Sequence, residues 1–261
     1  MICINDGSVG FARELKAICA DSPYGARIDA YFTAYSGSRS FLDFWLYKSG
    51  GQARGALCRY YGSVFLCGEF DSEIRAFLEM LSPSSVLCDV SLDFEITGTR
   101  RKTGETLVCA LPVELSPGIP GCTVDRLNGE MRPLGAVYEL LRAEYGAPLG
   151  EFDDYFVDMS HLIRHNTAQV FTLCADGELA STLTVSAISE TAAVIGSVAT
   201  KRDFRRSGLA GYLVSKITKE LYSSGRKVFL HREEPIPLYE RAGFCSAGSF
   251  AQYVRITETG R

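Results

Sequence analysis

The stretch GSVATKRDFRRSGLA, Gly196 to Ala210, decides the fold. Its first part is an apolar run that ends at Thr200 and reads as a strand. A basic loop follows, with Lys201, Arg202, Arg205 and Arg206, and opens onto Ser207 to Ser224. There Leu209, Leu213, Ile217 and Leu221 recur at four-residue spacing with Val214 beside them, which predicts an amphipathic helix that Gly225 closes as its C′ residue. A helix that starts directly after a strand and a glycine-containing loop aims several backbone N–H groups, and the positive end of its dipole, at one point. Such a point binds phosphate. Arg205 and Arg206 add charge-assisted donors, and Gly208 lets the main chain approach an anion with no Cβ in the way. As a bare string Arg205-x-x-Gly208-x-Ala210 is a weak signal; the strand before it and the helix after it make it specific.

Working outward, Gly135 to Tyr145 (GAVYELLRAEY) and Asp153 to His165 (DDYFVDMSHLIRH) have helical apolar spacing and are separated by the breakers Gly146, Pro148 and Gly150. Three strand-like runs follow: AQVFTLCA, ELASTLTVSAI after the hairpin signal Asp176-Gly177, and TAAVIGSVAT after Ser189-Glu190. Beyond the long helix come a strand (KVFLH), a short helix (PLYERAG) and a last strand near Ala251 to Ile256. The N-terminal half repeats this order. VGFARELKAICA and ARIDAYFTAY read as helices, SFLDFWLYK, ARGALCRYY and SVFLCGEF as strands, DSEIRAFLEML as a helix capped by Asp71, and SSVLCDVSL as a buried strand. The shared order predicts a duplicated α/β (α+β) architecture of mixed sheets flanked by helices. The Pro- and Gly-rich ELSPGIPGCT, residues 114–123, reads as the linker between domains at 1–118 and 124–261.

With these residues in place, the C-terminal half resembles the GNAT superfamily of acyl-CoA-dependent N-acyltransferases, and most closely its FR47-like branch, over about residues 125–257. Arg205 to Ala210 match the family's pyrophosphate loop, [QR]-x-x-G-x-[GA], and Leu238-Tyr239-Glu240-Arg241-Ala242-Gly243-Phe244 is similar to its L-Y-E-x-x-G-F. The resemblance implies a tandem GNAT-like protein that uses acetyl-CoA as co-substrate. It places the cofactor along Val198, Ala199 and Thr200 and on Arg205, Arg206, Ser207, Gly208, Leu209 and Ala210, with Tyr239 as general acid toward the leaving thiolate. A thioester attacked by an amine passes through an oxyanion, which fixed backbone N–H groups stabilise. Two departures stand out. HREEPIPLYE is short and carries Pro235 and Pro237, and TAAVIGSVAT has no carboxylate to serve as base. His231 is a base candidate, as are Asp158, His161 and His165, and a water relay is a further route. His161 and His165 share a helix face, but no third ligand lies in sequence reach, so no metal is expected.

The equivalent of the cofactor loop in the first half is CGEFDSEIRAF, with Glu69, Asp71 and Glu73 where the second half has Arg and Gly. Carboxylates there repel a pyrophosphate. The first copy is therefore expected to lack the CoA loop and to serve structure, including part of the acceptor cleft. The 261 residues, 46% hydrophobic with a formal charge of −4, argue for folded domains and against an electrostatic grip on nucleic acid. Nine scattered cysteines with no C-x-x-C spacing suit reduced thiols in the cytoplasm. The opening MICINDGSVG carries no leader pattern and no run reaches the ~18 apolar residues of a membrane span, so no membrane association is expected. The expected reaction is transfer of an acetyl group to a primary amine of a small molecule or peptide, by a monomer or homodimer. A non-catalytic acyl-CoA-binding module is the alternative.

Overall fold

The computed structural model describes residues 1–146 and 150–256, so Pro148 and the last five residues lie outside the described set. The chain forms two compact units, and they do not follow its halves. One comprises Met1–Thr106, His231–Glu234 and the described residues from Ala247 on; the other comprises Leu107–Leu230 and Pro235–Ser246. The segment 107–118, read as the end of the first domain, thus belongs with the second unit, and the last strand belongs largely with the first.

In the first unit the order is β1 (Ile2–Ile4), α1 (Val9–Cys19), α2 (Pro23–Tyr35), β2 (Leu42–Ser49), β3 (Gln52–Tyr60), β4 (Ser63–Gly68), α3 (Glu73–Leu81), β5 (Ser85–Asp89) and most of β6 (Thr99–Cys109). Strands β1 to β4 pair antiparallel in sequence, and β4 pairs parallel with β5 over Ser63–Phe65 and Ser85–Leu87. The second unit repeats this plan. It runs β7 (Thr123–Arg126), α4 (Met131–Tyr145), α5 (Phe152–Arg164), β8 (Gln169–Ala175), β9 (Glu178–Ile188), β10 (Ala192–Thr200), α6 (Leu209–Ser223), most of β11 (Lys227–Arg232), α7 (Pro237–Arg241) and the start of β12 (Phe244–Arg255). Strands β7 to β10 are antiparallel neighbours, and β10 pairs parallel with β11. The duplication is therefore one of pairing as well as of order. In the first unit β12 also pairs antiparallel with β5, Phe250 opposite Asp89 and Val254 opposite Ser85.

Packing explains why the quoted stretch folds this way. Leu209, Leu213, Val214, Ile217 and Leu221 of α6 are all buried against Ala193 and Ile195 of β10 and Val228 and Leu230 of β11. Each such leucine contributes roughly 1.5–3 kcal/mol when fully removed from water. The Asp176-Gly177 turn has positive φ at both residues, 51° and 79°, as a two-residue type I′ hairpin requires. All nine cysteines are free thiols, five of them buried. Among the described residues no helix is long and apolar enough to cross a membrane.

The structure adds β1, β6 and β7 and lengthens the last strand to begin at Phe244. These segments are short or charged, such as TRRKTGETLVC in β6, and pairing with neighbours makes them strands where local pattern does not. The N-cap of α3 is Ser72, one residue after the expected Asp71.

Candidate functional site

The parallel register of β10 with β11 ends at Ile195 and Leu230, while β10 runs on to Thr200. Between Gly196 and Ala199, β10 advances three residues against two on β9, so it carries one extra residue. Ser197 sits there at φ 45°, in the left-handed region. Past this bulge the strand turns alternate peptide groups to opposite sides. The Ala199 carbonyl accepts from Ser181 Oγ at 2.8 Å and the Lys201 N–H donates to the Ala180 carbonyl at 2.9 Å, both on the β9 side. Val198 and Thr200 therefore face the other, open edge. The Tyr145 hydroxyl donates to the Val198 carbonyl there at 2.6 Å, and Arg205 Nε donates to the Thr200 carbonyl at 3.3 Å.

The basic loop leaves this edge through a 3-10 turn, Arg202–Phe204. Arg206 has φ 62° and Gly208, the N-cap of α6, has φ 74°. Arg205 before them is extended, and the two left-handed residues on either side of Ser207 curl the chain tightly ahead of α6; turns of this kind can gather backbone N–H groups into an anion-binding concavity. For Arg206 this conformation is uphill by roughly 1–2 kcal/mol, a strain that marks functional loops. The Leu209, Ala210 and Gly211 N–H groups, in the first turn of α6, have no partner within the helix.

One more segment holds the loop in place. The Gly118 N–H donates to the Ser207 carbonyl at 2.8 Å, and a Cβ on Gly118 would sit 2.5 Å from that oxygen. The Leu115 N–H donates to Ser215 Oγ of α6 at 3.1 Å. The stretch read as a linker is thus a wall of the site.

These parts enclose a cavity of about 690 Å³ within the second unit, lined by Leu115 and Ser116, Glu144 and Tyr145, residues 198–200, 204–206 and 208–211, and Leu238 and Arg241. Its size lies within the usual range of small-molecule sites. Val198, Ala199, Thr200, Arg205, Arg206, Gly208, Leu209 and Ala210, all expected from sequence, meet in it; Ser207 turns its carbonyl to Gly118 instead. Glu144, at the end of α4, forms an ion pair with Arg205 and is the only carboxylate among the described lining residues. Burial holds the Tyr145 hydroxyl above the usual tyrosine pKa. Glu144, Tyr145, Leu115 and Ser116 were not legible beforehand, because no local pattern marks them.

The remaining candidates lie elsewhere. Tyr239 packs against the core with its ring 6.3 Å from that of Phe244, although Leu238 and Arg241 beside it line the cavity. His231 falls in the first unit, its ring 4.9 Å from Phe250 and 5.4 Å from Tyr24. Its Nε2 is sealed from solvent with no hydrogen-bond partner, and burial, helped by the Arg27 charge, lowers its pKa to about 3. An imidazole so placed is neutral and inaccessible as a base. His165 Nδ1 lies 2.9 Å from the His161 carbonyl, and neither histidine nor Asp158 lines the cavity. Among the described residues no group of three potential metal ligands occurs.

The first unit shows the acidic version of the same corner. Beyond β4, Asp71 Oδ1 accepts from the Glu73 N–H at 2.9 Å and Oδ2 accepts from the Tyr47 hydroxyl, and these bonds hold the carboxyl below its usual pKa. The chain's own carboxylate takes the helix-start N–H that a phosphate would need.

Residues 134–244 match the acetyltransferase (GNAT) family, and they are a domain of that family. None of the curated proteins matches the chain in sequence. In fold it is similar to a Drosophila protein at 12% identity, covering 98% of each chain with a TM-score of 0.69. It is also similar to a tandem GNAT protein from the clavulanic acid biosynthesis pathway, at 14% identity, 97% of each chain and a TM-score of 0.59. A GNAT-family acetyltransferase from Colwellia psychrerythraea is a third, at 15% identity, 98% of this chain and 100% of that one, with a TM-score of 0.58. The chain therefore has the tandem GNAT fold.

Proposed function

We propose that this acetyltransferase-family protein transfers the acetyl group of acetyl-CoA to a primary amine of a small molecule or peptide by direct attack. The observation that carries this reading is the convergence in one cavity of an open strand edge, a strained anion nest and two arginines. The nest N–H groups of Gly208, Leu209 and Ala210, with Arg205 and Arg206, suit a diphosphate. The open edge at Val198 and Thr200 suits an extended amide-bearing arm, which pairs with it as another strand would. In the reaction the neutral amine nitrogen bonds to the thioester carbon and gives up one proton to water, the carbon–sulfur bond breaks, and the electron pair leaves on sulfur. Tyr239 protonates that sulfur, which requires its ring to turn from Phe244 toward the cavity that its neighbours line. Holding both substrates in one cleft supplies the orientation part of the rate.

Calorimetric titration of the full chain with CoA tests the reading. Micromolar binding is expected, weakened roughly 10- to 100-fold in Arg205→Ala, as loss of a charge-assisted hydrogen bond of about 1.5–3 kcal/mol implies. Absence of binding by the unaltered chain would sink the assignment. Binding without thiol release across a broad amine panel would favour the non-catalytic acyl-CoA module instead.

A further inference from the structure

Away from the cavity, the first unit holds a pair of thiols that acetyl transfer does not use. Cys19 is the last residue of α1 and Cys67 the penultimate residue of β4, 48 residues apart, and both belong to one apolar core. Cys67 Sγ lies 3.4 Å from the Ile18 carbonyl, in the peptide group that leads into Cys19, and 3.4 Å from Ser22 Oγ. The Cys19 thiol donates to the Cys67 sulfur. Ser22 is the N-cap of α2, and Gly25 in its first turn sits so close that a Cβ there would fall 2.5 Å from Cys19 Cα. Cys67 therefore lies at a helix N-terminus, a place that favours a thiolate. The Cys19 thiol, with Ser22 and the Gly25 N–H, holds the Cys67 pKa below the usual thiol value in spite of its burial. Burial, with Cys67, Asp29 and Cys58 adding to it, pushes that of Cys19 well above. One sulfur is thus set to ionise and its neighbour to keep its proton.

We infer that Cys67 and Cys19 form a peroxide-responsive dithiol, in which Cys67 takes the oxidation and Cys19 resolves it to a disulfide that ties the end of α1 to the end of β4. The Cys67 sulfur attacks one oxygen of hydrogen peroxide, the oxygen–oxygen bond breaks, and the departing hydroxide takes up the proton that Cys67 released. Cys67 is then a sulfenic acid. The Cys19 sulfur attacks the Cys67 sulfur, the sulfur–oxygen bond breaks, and the Cys19 proton leaves with that oxygen as water. Two thiols lose two electrons, and one peroxide becomes two waters. A sulfenic acid with a thiol in contact condenses with it before further oxidation. Burial selects the oxidant. Cys19 and Cys67 are 1% and 4% exposed, which shuts out a bulky disulfide oxidant but not a small neutral peroxide. Between Cys19 and Ser22 the chain is only Ala20 and Asp21, both exposed, with Asp21 in the left-handed region at φ 58°. Opening of these two residues gives a molecule of that size its path.

The test uses the full chain carrying Cys245→Ser, which removes the exposed competing thiol. One equivalent of hydrogen peroxide is added to the native protein, remaining thiols are blocked with N-ethylmaleimide, and the unreduced digest is mapped by mass spectrometry. The expected result is the loss of two free thiols per chain, recovered with dithiothreitol, and a linked peptide pair that carries Cys19 and Cys67. With Cys19→Ser added, the sulfenic acid has no resolving thiol, so dimedone labels Cys67. With Cys67→Ser added instead, thiol loss slows at least about tenfold, because the ionising sulfur is gone. Thiols that all stay free in the native protein, a disulfide that leaves out either cysteine, or Cys67 oxidised without linkage to Cys19 overturns the inference. So does a Cys19–Cys67 yield no higher in the native than in the urea-unfolded chain, since the folded geometry would then contribute nothing. The linkage is read with both cysteines in place, so the outcome stands even where Cys19→Ser or Cys67→Ser fails to fold.

Discussion

Replacing Gly118 with Ala probes the site from a residue outside the segment that matches the family. Gly118 does not occupy the left-handed region, so alanine is compatible with its backbone and any effect comes from space alone. The added Cβ would lie 2.5 Å from the Ser207 oxygen and 3.0 Å from the Ser207 carbonyl carbon, both backbone atoms that no rotamer change can move aside. Relief to ordinary contact needs a shift of about 0.5–0.9 Å, comparable with the whole span of good N–H···O distances, 2.7–3.2 Å. The segment that must yield bears Ser207 and Gly208, whose nest depends on its present shape. Misaligning one charge-assisted bond to a diphosphate forfeits much of its roughly 1.5–3 kcal/mol, so CoA affinity should fall about 10- to 100-fold. Stability should fall less, by about 1 kcal/mol, the scale of the Gly118–Ser207 hydrogen bond. Gly10→Ala is the control, since its Cβ meets only Ser8 Oγ at 3.7 Å and sits in helix α1. Calorimetry with CoA and urea melts on both variants decide the matter. Gly118→Ala that binds CoA like the unaltered chain would refute the claim that residues 115–118 hold the phosphate loop.

Three further outcomes are expected. Leu213→Ala removes a fully buried side chain between α6 and the sheet and should cost about 2–5 kcal/mol in urea unfolding; a loss below about 1 kcal/mol would show that α6 is not anchored as described. His231 has a pKa near 3 in the folded chain, against ~6.5 when unfolded, so on acidification the unfolded state takes up the proton first. Stability should therefore be lost as pH falls from about 6.5 toward 3, by up to ~1.4 kcal/mol per pH unit, and His231→Phe should flatten that slope; parallel slopes for both proteins between pH 7 and 5 would contradict it. Tyr239→Phe should lower maximal turnover about 100-fold while leaving CoA affinity unchanged, and an unchanged maximal rate would remove its role as acid.

The fold's plan was legible because its strongest signals are local. The stripe from Leu209 to Leu221, the Asp176-Gly177 turn and the Arg205-to-Ala210 loop each fit within a few turns of chain, and each appears in the structure where its pattern puts it. The duplicated order was legible for the same reason. Strands β1, β6 and β7 were not, because their residues lack alternation and become strands only by pairing with neighbours distant in sequence. The Pro- and Gly-rich run at 114–123 has the composition of a linker, yet its lack of side chains at Gly118 is what permits close approach to Ser207. His231 was a base candidate from sequence, and packing beside the Tyr24 and Phe250 rings with its Nε2 sealed from solvent leaves it neutral.

By itself, then, the sequence placed the candidate cofactor corner: a glycine, helix-start N–H groups and arginines are all supplied by one continuous stretch, and backbone geometry acts over that range. Which residues face that corner was decided only by tertiary structure. Glu144 and Arg205 are 61 residues apart, and Gly118 and Ser207 are 89 apart. No periodicity links them; they meet because α4 and the segment before β7 pack where the splayed edge of β10 leaves room.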